Sequence, residues 1–254
     1  MNQTIETIKN LHSTRKYSKQ NIADEQLEII IDAAISAGNS GNRQVYSIVV
    51  IDDEKLLKKY FYGGNKALVF LIDFNRWINL ARHLKLDIAS SIDGLRGFTI
   101  SSMDAMLAAQ NAAIAAKSLG IESLFTTSLH RGNFKDIYEQ LNLPEKYCFP
   151  FLSLALGYSD ESKSPHKGRV KDGVIHYGKY KQMTSNELEK QIQEYDDEKN
   201  HLGFTSRENW EKAGFQHYLE FYFTKWAKSQ PIDEIRSFYQ VLTDSGFLEA
   251  QTFL

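Results

Sequence analysis

A chain of 254 residues with 42% hydrophobic and 12% aromatic content can bury an ordinary globular core without covalent staples. Its formal net charge of -2 supplies no global field toward nucleic acid or an anionic membrane, so any anion binding has to come from local clusters. The single cysteine, Cys148, sits between Tyr147 and Phe149, which excludes a disulfide and a thiolate cluster and reads as a packed thiol.

The opening Met1 to Glu6 has neither a basic nor an apolar targeting segment, and no apolar run reaches the length of a bilayer span. The expectation is a soluble cytoplasmic protein. Ile5 to Leu11 reads as a first helix, followed by the basic cluster His12 to Tyr17. Asp24-Glu25-Gln26 opens a second helix, whose apolar residues Leu27, Ile30, Ile31, Ala34 and Ile35 recur at helical spacing until Gly38 stops it. After the polar turn Ser40 to Gln44, Tyr46 to Ile51 suits a buried strand, Glu54 to Lys59 a short helix, and Ala67 to Asp73 a second strand. Ser101 to Leu119 is apolar nearly all round and rich in alanine, which predicts a helix buried in the middle of the fold and capped by Gly120. A strand over Glu122 to Thr127, a helix over Gly132 to Leu141 and a strand over Pro150 to Leu156 complete a layered α/β body. Beyond Ser185 the pattern is helical and aromatic, with Trp210, Phe215, Tyr218, Tyr222 and Trp226 near one face and Pro231 opening a last helix. This tail is expected to pack on the body or on a second subunit.

Three local clusters carry candidate chemistry. His12, Ser13 and Arg15 combine a forked and a short donor that suit phosphate oxygens, or form a solvated surface. Ser40-Gly41-Asn42-Arg43-Gln44 presents amides to a heterocycle, or is a helix C-cap and loop. Lys167-Gly168-Arg169 sets two cations around a glycine that lets a ligand approach the backbone. Gly63-Gly64-Asn65-Lys66 lacks the Ser or Thr and the helix of a phosphate loop. No metal-ligand histidine spacing, no serine-hydrolase elbow and no Gly-x-Gly-x-x-Gly occurs.

Taken in order, Thr4 to Ile8, Ser13-x-Arg15-Lys16-Tyr17, Asp24-Glu25-Gln26, Ser40 to Gln44, Ala109-Gln110-Asn111, Leu143-Pro144-Glu145, Leu156-Gly157 and Lys167-x-Arg169 resemble the FMN-dependent nitroreductase superfamily, and within it the flavin reductase P and oxygen-insensitive major nitroreductase group. The resemblance implies an α+β fold: a central mixed, mainly antiparallel sheet flanked by helices, with a helical C-terminal extension, in a domain-swapped homodimer. It places an FMN-binding domain at 1–180 and the extension at 181–254. It further implies bound FMN, NADPH or NADH as donor, and a nitroaromatic, quinone or free flavin as acceptor, with no nucleic acid, membrane or metal involved.

By that resemblance His12, Ser13, Lys167 and Arg169 hold the FMN phosphate and Arg15 lies near the pyrimidine end of the ring. Ser40, Gly41 and Asn42 reach the flavin of the neighbouring subunit. Thr127 and Ser128 stand where relatives carry a Gly-Gly pair facing flavin N5 and O4, Leu129 follows them as a further cofactor-binding residue, and Lys66 substitutes for a shortened flavin-contacting segment. Arg207 resembles the arginine on the NADPH 2′-phosphate. Where relatives have His-Arg-Ser this chain has Leu11-His12-Ser13, so a permanent charge is exchanged for a titratable one. The altered N5 region leaves room for two other outcomes: an FMN-binding sensor or carrier with little turnover, or an enzyme of this fold with another flavin reaction.

Overall fold

The computed structural model describes residues 2–86, 92, 94–131, 134–159, 168–229 and 231–248. Four strands form its sheet: β1 (Tyr46–Ile51), β2 (Lys66–Asp73), β3 (Glu122–Thr126) and β4 (Cys148–Gly157), in the order β1-β2-β4-β3 with every neighbour antiparallel. The central strand β2 is buried on both faces, which explains its unbroken run Ala-Leu-Val-Phe-Leu-Ile. Leu68 and Phe70 face one core with Leu154 and Leu156. Ala67, Val69 and Leu71 face another with Leu124 and Ala155. Between Phe70 and Leu71 the pairing with β4 slips from Leu152 to Pro150, a bulge that falls where proline has no N–H to give.

Helices α1 (Gln3–Lys9) and α2 (Asp24–Ile35) precede the sheet, α3 (Glu54–Tyr60) joins β1 to β2, and α4 (Asn75–His83) follows β2. The sequence reading assigned no element to α4. The 25-residue α5 (Gly94–Ser118) packs Ala105, Ala108, Ala109, Ala112, Ala113 and Ala116, all fully buried, against α2 and the first core. Its other face is left exposed by the described residues: Leu95 is 60% exposed, Met103 58%, Met106 51% and Leu107 51%. The expectation of a helix buried all round is corrected accordingly. The small alanine side chains are what let one face of α5 lie close on its neighbours.

The described residues divide into two compact units, Met1–Glu161 with Pro231–Leu254, and Ser162–Gln230. Besides the elements above, the first contains α6 (Phe134–Gln140) and the last helix, and the second contains α7 (Ser185–Asp196), α8 (Arg207–Lys212) and α9 (Tyr218–Phe221). The last helix, α10 (Ile232–Asp244), returns to the first unit, because Leu242 and the following Phe247 bury among Ile72, Phe74, Phe134 and Phe149. The second unit has an aromatic cluster of its own, in which Phe204 meets Tyr218, Tyr222 and Trp226 at centroid distances of 5.8, 6.0 and 4.7 Å. Among the described residues no helix is long and apolar enough to cross a membrane.

Candidate functional site

Residues 12–18 run past the end of the sheet at which β4 stops and β2 and β3 begin. Ser13 bridges Ser123 in parallel, Thr14 N–H donates to the Ser123 carbonyl at 3.0 Å, and Ser18 N–H donates to the Tyr158 carbonyl at 2.7 Å. The extended backbone sends Thr14 inward, 6% exposed, and leaves Ser13 and Arg15 on the outer side. Neither the Ser13 hydroxyl nor the Arg15 guanidinium makes a hydrogen bond or ion pair among the described residues. Tyr17 anchors the segment: its half-buried ring packs on the second core, its hydroxyl donates to the Ala155 carbonyl at 3.4 Å, and burial raises its pKa.

The other residues expected at this end are engaged. His12 places Nδ1 3.1 Å from the Asn10 carbonyl and Nε2 3.4 Å from Glu122 Oε2, while Lys117 Nζ holds both oxygens of Glu122 at 2.7 and 2.8 Å. Two acceptors face the two ring nitrogens, so only the protonated ring donates to both. Lys66 opens β2 at the same end, with Nζ 3.6 Å from Asp52 Oδ2. Asn65 ties the end together, donating from Nδ2 to the Ser18 carbonyl at 3.1 Å and accepting from Tyr158 N–H at 3.2 Å.

The turn Ser40 to Gln44 lies at the opposite end of the sheet, before β1, roughly 17 Å away along that strand at about 3.3 Å per residue. Gly41, Asn42 and Gln44 take φ of 60°, 52° and 50°. A non-glycine residue held in this left-handed region costs about 1–3 kcal/mol, and it persists only where its surroundings enforce it. Here they do. Ser40 N–H donates to Asp104 Oδ1 at 2.9 Å and Gln44 N–H to Asn39 Oδ1 at 3.1 Å. Arg76 Nη2 donates to the Arg43 and Gln44 carbonyls at 2.6 and 2.7 Å, and Trp77 Nε1 donates to the Arg43 carbonyl at 2.6 Å. Gln44 Nε2 caps α2 at the Ile35 carbonyl, 3.3 Å away, so this residue takes the C-cap role. The Ser40 hydroxyl and the Asn42 amide make no hydrogen bond among the described residues.

Thr127, Ser128 and Leu129 follow the end of β3. Thr127 is exposed, but Ser128 N–H donates to Thr126 Oγ1 at 3.1 Å and its hydroxyl donates to the Tyr60 carbonyl. Leu129 is 3% exposed in the second core, so its side chain serves packing rather than a ligand. Arg169 and Arg207 belong to the second unit. Arg169 Nη1 donates to the Gly168 carbonyl at 2.8 Å, and Arg207 Nε is paired with Glu211 at 2.7 Å with its guanidinium over the Trp210 ring. Lys167 lies outside the described residues. Among the described residues no group of acids, histidines or cysteine could hold a metal ion.

The family model described as Nitroreductase family matches residues 8–68. The NADPH-dependent oxidoreductase of Staphylococcus aureus (strain USA300) is 31% identical over 183 residues, covering 68% of this chain and 72% of that protein. The chain belongs to the nitroreductase family. Among solved structures, nitroreductase A of Vibrio parahaemolyticus is 25% identical with a TM-score of 0.73, covering 95% of this chain and 98% of that one. The NADPH:FMN oxidoreductase of Vibrio harveyi, solved with NAD+, shares the fold at 24% identity and a TM-score of 0.71, covering 94% and 98%.

Sequence reasoning missed Asp104, Arg76 and Trp77, which hold the 39–44 turn. Asp104 carried a usable signal as the sole acidic residue of α5. Arg76 and Trp77 carried none, since nothing in their own segment points to a turn some thirty residues earlier.

Proposed function

We propose that this chain is an NAD(P)H-dependent FMN oxidoreductase that works as a homodimer. Each site joins Ser13 and Arg15 of one subunit to Ser40 and Asn42 of its partner. The observation that carries this reading is the pairing of two side-chain donor sets without a partner among the described residues, Ser13 with Arg15 and Ser40 with Asn42, at opposite ends of the sheet of one chain. Asp104, which holds the second set, lies on α5, beside the exposed Met103 and Leu107. A contiguous apolar stripe of this kind is what a second copy would cover.

The donor set fits the cofactor. When bound, FMN supplies the two-electron chemistry, accepting hydride from NADPH or NADH and passing electrons to a nitroaromatic, a quinone or a free flavin. Arg15 would bring its permanent positive charge to the pyrimidine edge, where reduction builds negative charge. Ser13 binds the phosphate. His12 adds charge there only when protonated, and Glu122 competes for it. Asn42 and Ser40 orient the ring from across the interface. Ser128 offers neither its amide nor its hydroxyl, because both are already donated within the chain, so this end of the site contributes shape more than hydrogen bonds. For Arg207 to meet a nucleotide phosphate, Glu211 has to give way.

Purified protein should be yellow, with a flavin spectrum that bleaches on anaerobic addition of NADPH. A colourless protein that also fails to take up added FMN would overturn the reading. A bound flavin that neither NADPH nor NADH reduces at a useful rate would make the chain a flavin carrier or sensor instead.

A further inference from the structure

We propose that Asp104 is the positioning residue of the Ser40–Asn42 turn, a buried carboxylate whose bond to Ser40 N–H determines how firmly the turn grips the cofactor. The inference rests on the reading that Ser40 and Asn42 meet FMN. Asp104 is 3% exposed, and its Oδ1 accepts from Ser40 at 2.9 Å. Its Oδ2 is buried and unpartnered among the described residues, as is the Ser101 hydroxyl one helical turn earlier.

Helix stability does not account for this residue. Aspartate is a poorer helix former than alanine, and a carboxylate buried with half its acceptor capacity unused is costly where alanines otherwise fill the face. What it does provide is a charge-assisted bond to the first residue of a turn that contains three left-handed residues. The Ser40 carbonyl accepts from Arg43 N–H and Nε, both at 3.3 Å, which leaves its N–H to Asp104, and the remaining clamps act further along. Arg76 and Trp77 hold carbonyls at positions 43 and 44, and Asn39 holds the amide of 44. Without Asp104 the leading half of the turn, which carries the Ser40 hydroxyl and the Asn42 amide, keeps only the 3.3 Å bonds from Arg43 to the Ser40 carbonyl and relaxes toward ordinary backbone angles. The side chains then lose their preset direction, and FMN binding has to supply the ordering.

The test is a double-mutant cycle read as the FMN dissociation constant of the full chain, measured by flavin fluorescence, with Asn42→Ala, Asp104→Ala and the combination. Asp104→Ala should weaken FMN about tenfold or more, as expected for loss of a charged hydrogen bond. Asn42→Ala should also weaken it, and the double variant should be no worse than the poorer single one. Asp104→Asn, which keeps an acceptor for Ser40, should recover most of the loss. If Asn42→Ala weakens FMN while Asp104→Ala leaves it unchanged or adds to it independently, Asp104 is only structural and the inference fails while the site reading stands. If neither single variant alters FMN binding, the site reading itself fails. Asp104→Leu, which fills the space without an acceptor, gives the same comparison should Asp104→Ala not fold.

Discussion

Replacing Gly157 by alanine puts the packing under the Arg15 segment to a direct test. Gly157 ends β4 level with Glu122, and a Cβ there would lie 2.5 Å from Asn65 Oδ1 and 2.7 Å from Tyr17 Cδ1, inside the 3.0 Å that real Cβ contacts respect. Both neighbours are fixed. The Tyr17 ring is packed on the second core, and Asn65 is held by Ser18 and Tyr158. Overpacking of this kind costs about 1–3 kcal/mol. Loss of the Asn65 bond to Tyr158 N–H adds about 0.5–1.5 kcal/mol, so the total is about 1.5–4.5 kcal/mol. At about 2–4 °C per kcal/mol for a chain of this size, thermal unfolding followed by circular dichroism should shift down by roughly 3–18 °C. FMN affinity should fall with it, since Tyr17 cannot move without carrying Arg15. Gly38→Ala is the control, because its Cβ would meet nothing within 4 Å and its φ lies outside the left-handed range, so it should be neutral or slightly stabilising. A Gly157→Ala protein that unfolds with the parent, or a Gly38→Ala protein that falls as far, would refute the packing argument.

Two further outcomes follow from buried and paired groups. Burial, with Asp73 nearby, pushes the Cys148 thiol up to about 12, so iodoacetamide should label the native protein very slowly at pH 8 and the urea-unfolded protein readily; equal rates would place the thiol outside the core. Two of the seven histidines, His130 and His217, should have pKa values displaced in opposite directions. His130 lies among Phe134, Phe149 and Phe238 with Nε2 2.8 Å from the Pro150 carbonyl, and burial lowers its pKa below 6.5. The unfolded chain therefore binds that proton first, and stability from His130 is lost as pH falls from 6.5 through the lower folded value; His130→Phe should flatten this part of the pH dependence. Asp196, 2.6 Å from His217, raises its pKa instead, so that pair stabilises below 6.5 and weakens as pH rises through the folded value. Proton NMR showing both rings titrating together would contradict these assignments.

Strand β1 coincides with the stretch expected from sequence and β2 differs by one residue, because short apolar runs bounded by polar turns leave little choice. β4 begins two residues earlier than the pattern suggested, where Pro150 masked a bulge. Helix α4 was invisible because Asn75–His83 is polar on most sides and gains its place from Trp77 and Ala81. At the candidate site, spacing alone could nominate Ser13, Arg15 and Ser40 to Gln44. It could not say that Gln44 caps a helix, that Leu129 is core, or that His12 faces Glu122.

The sequence by itself determined the strands, the alanine-faced helix and the nitroreductase-family order of motifs, since these follow from periodicity and residue type along a continuous stretch. Only the tertiary structure decided which polar side chains are spent and which are left to bind. That outcome depends on partners distant in the chain: Asp104 and Arg76 for the strained turn, Asn65 and Gly157 for the Arg15 segment, and Glu122 for His12. A hydrogen bond depends on distance and direction, and neither is written in the spacing of residues that fold together from sixty or a hundred positions apart.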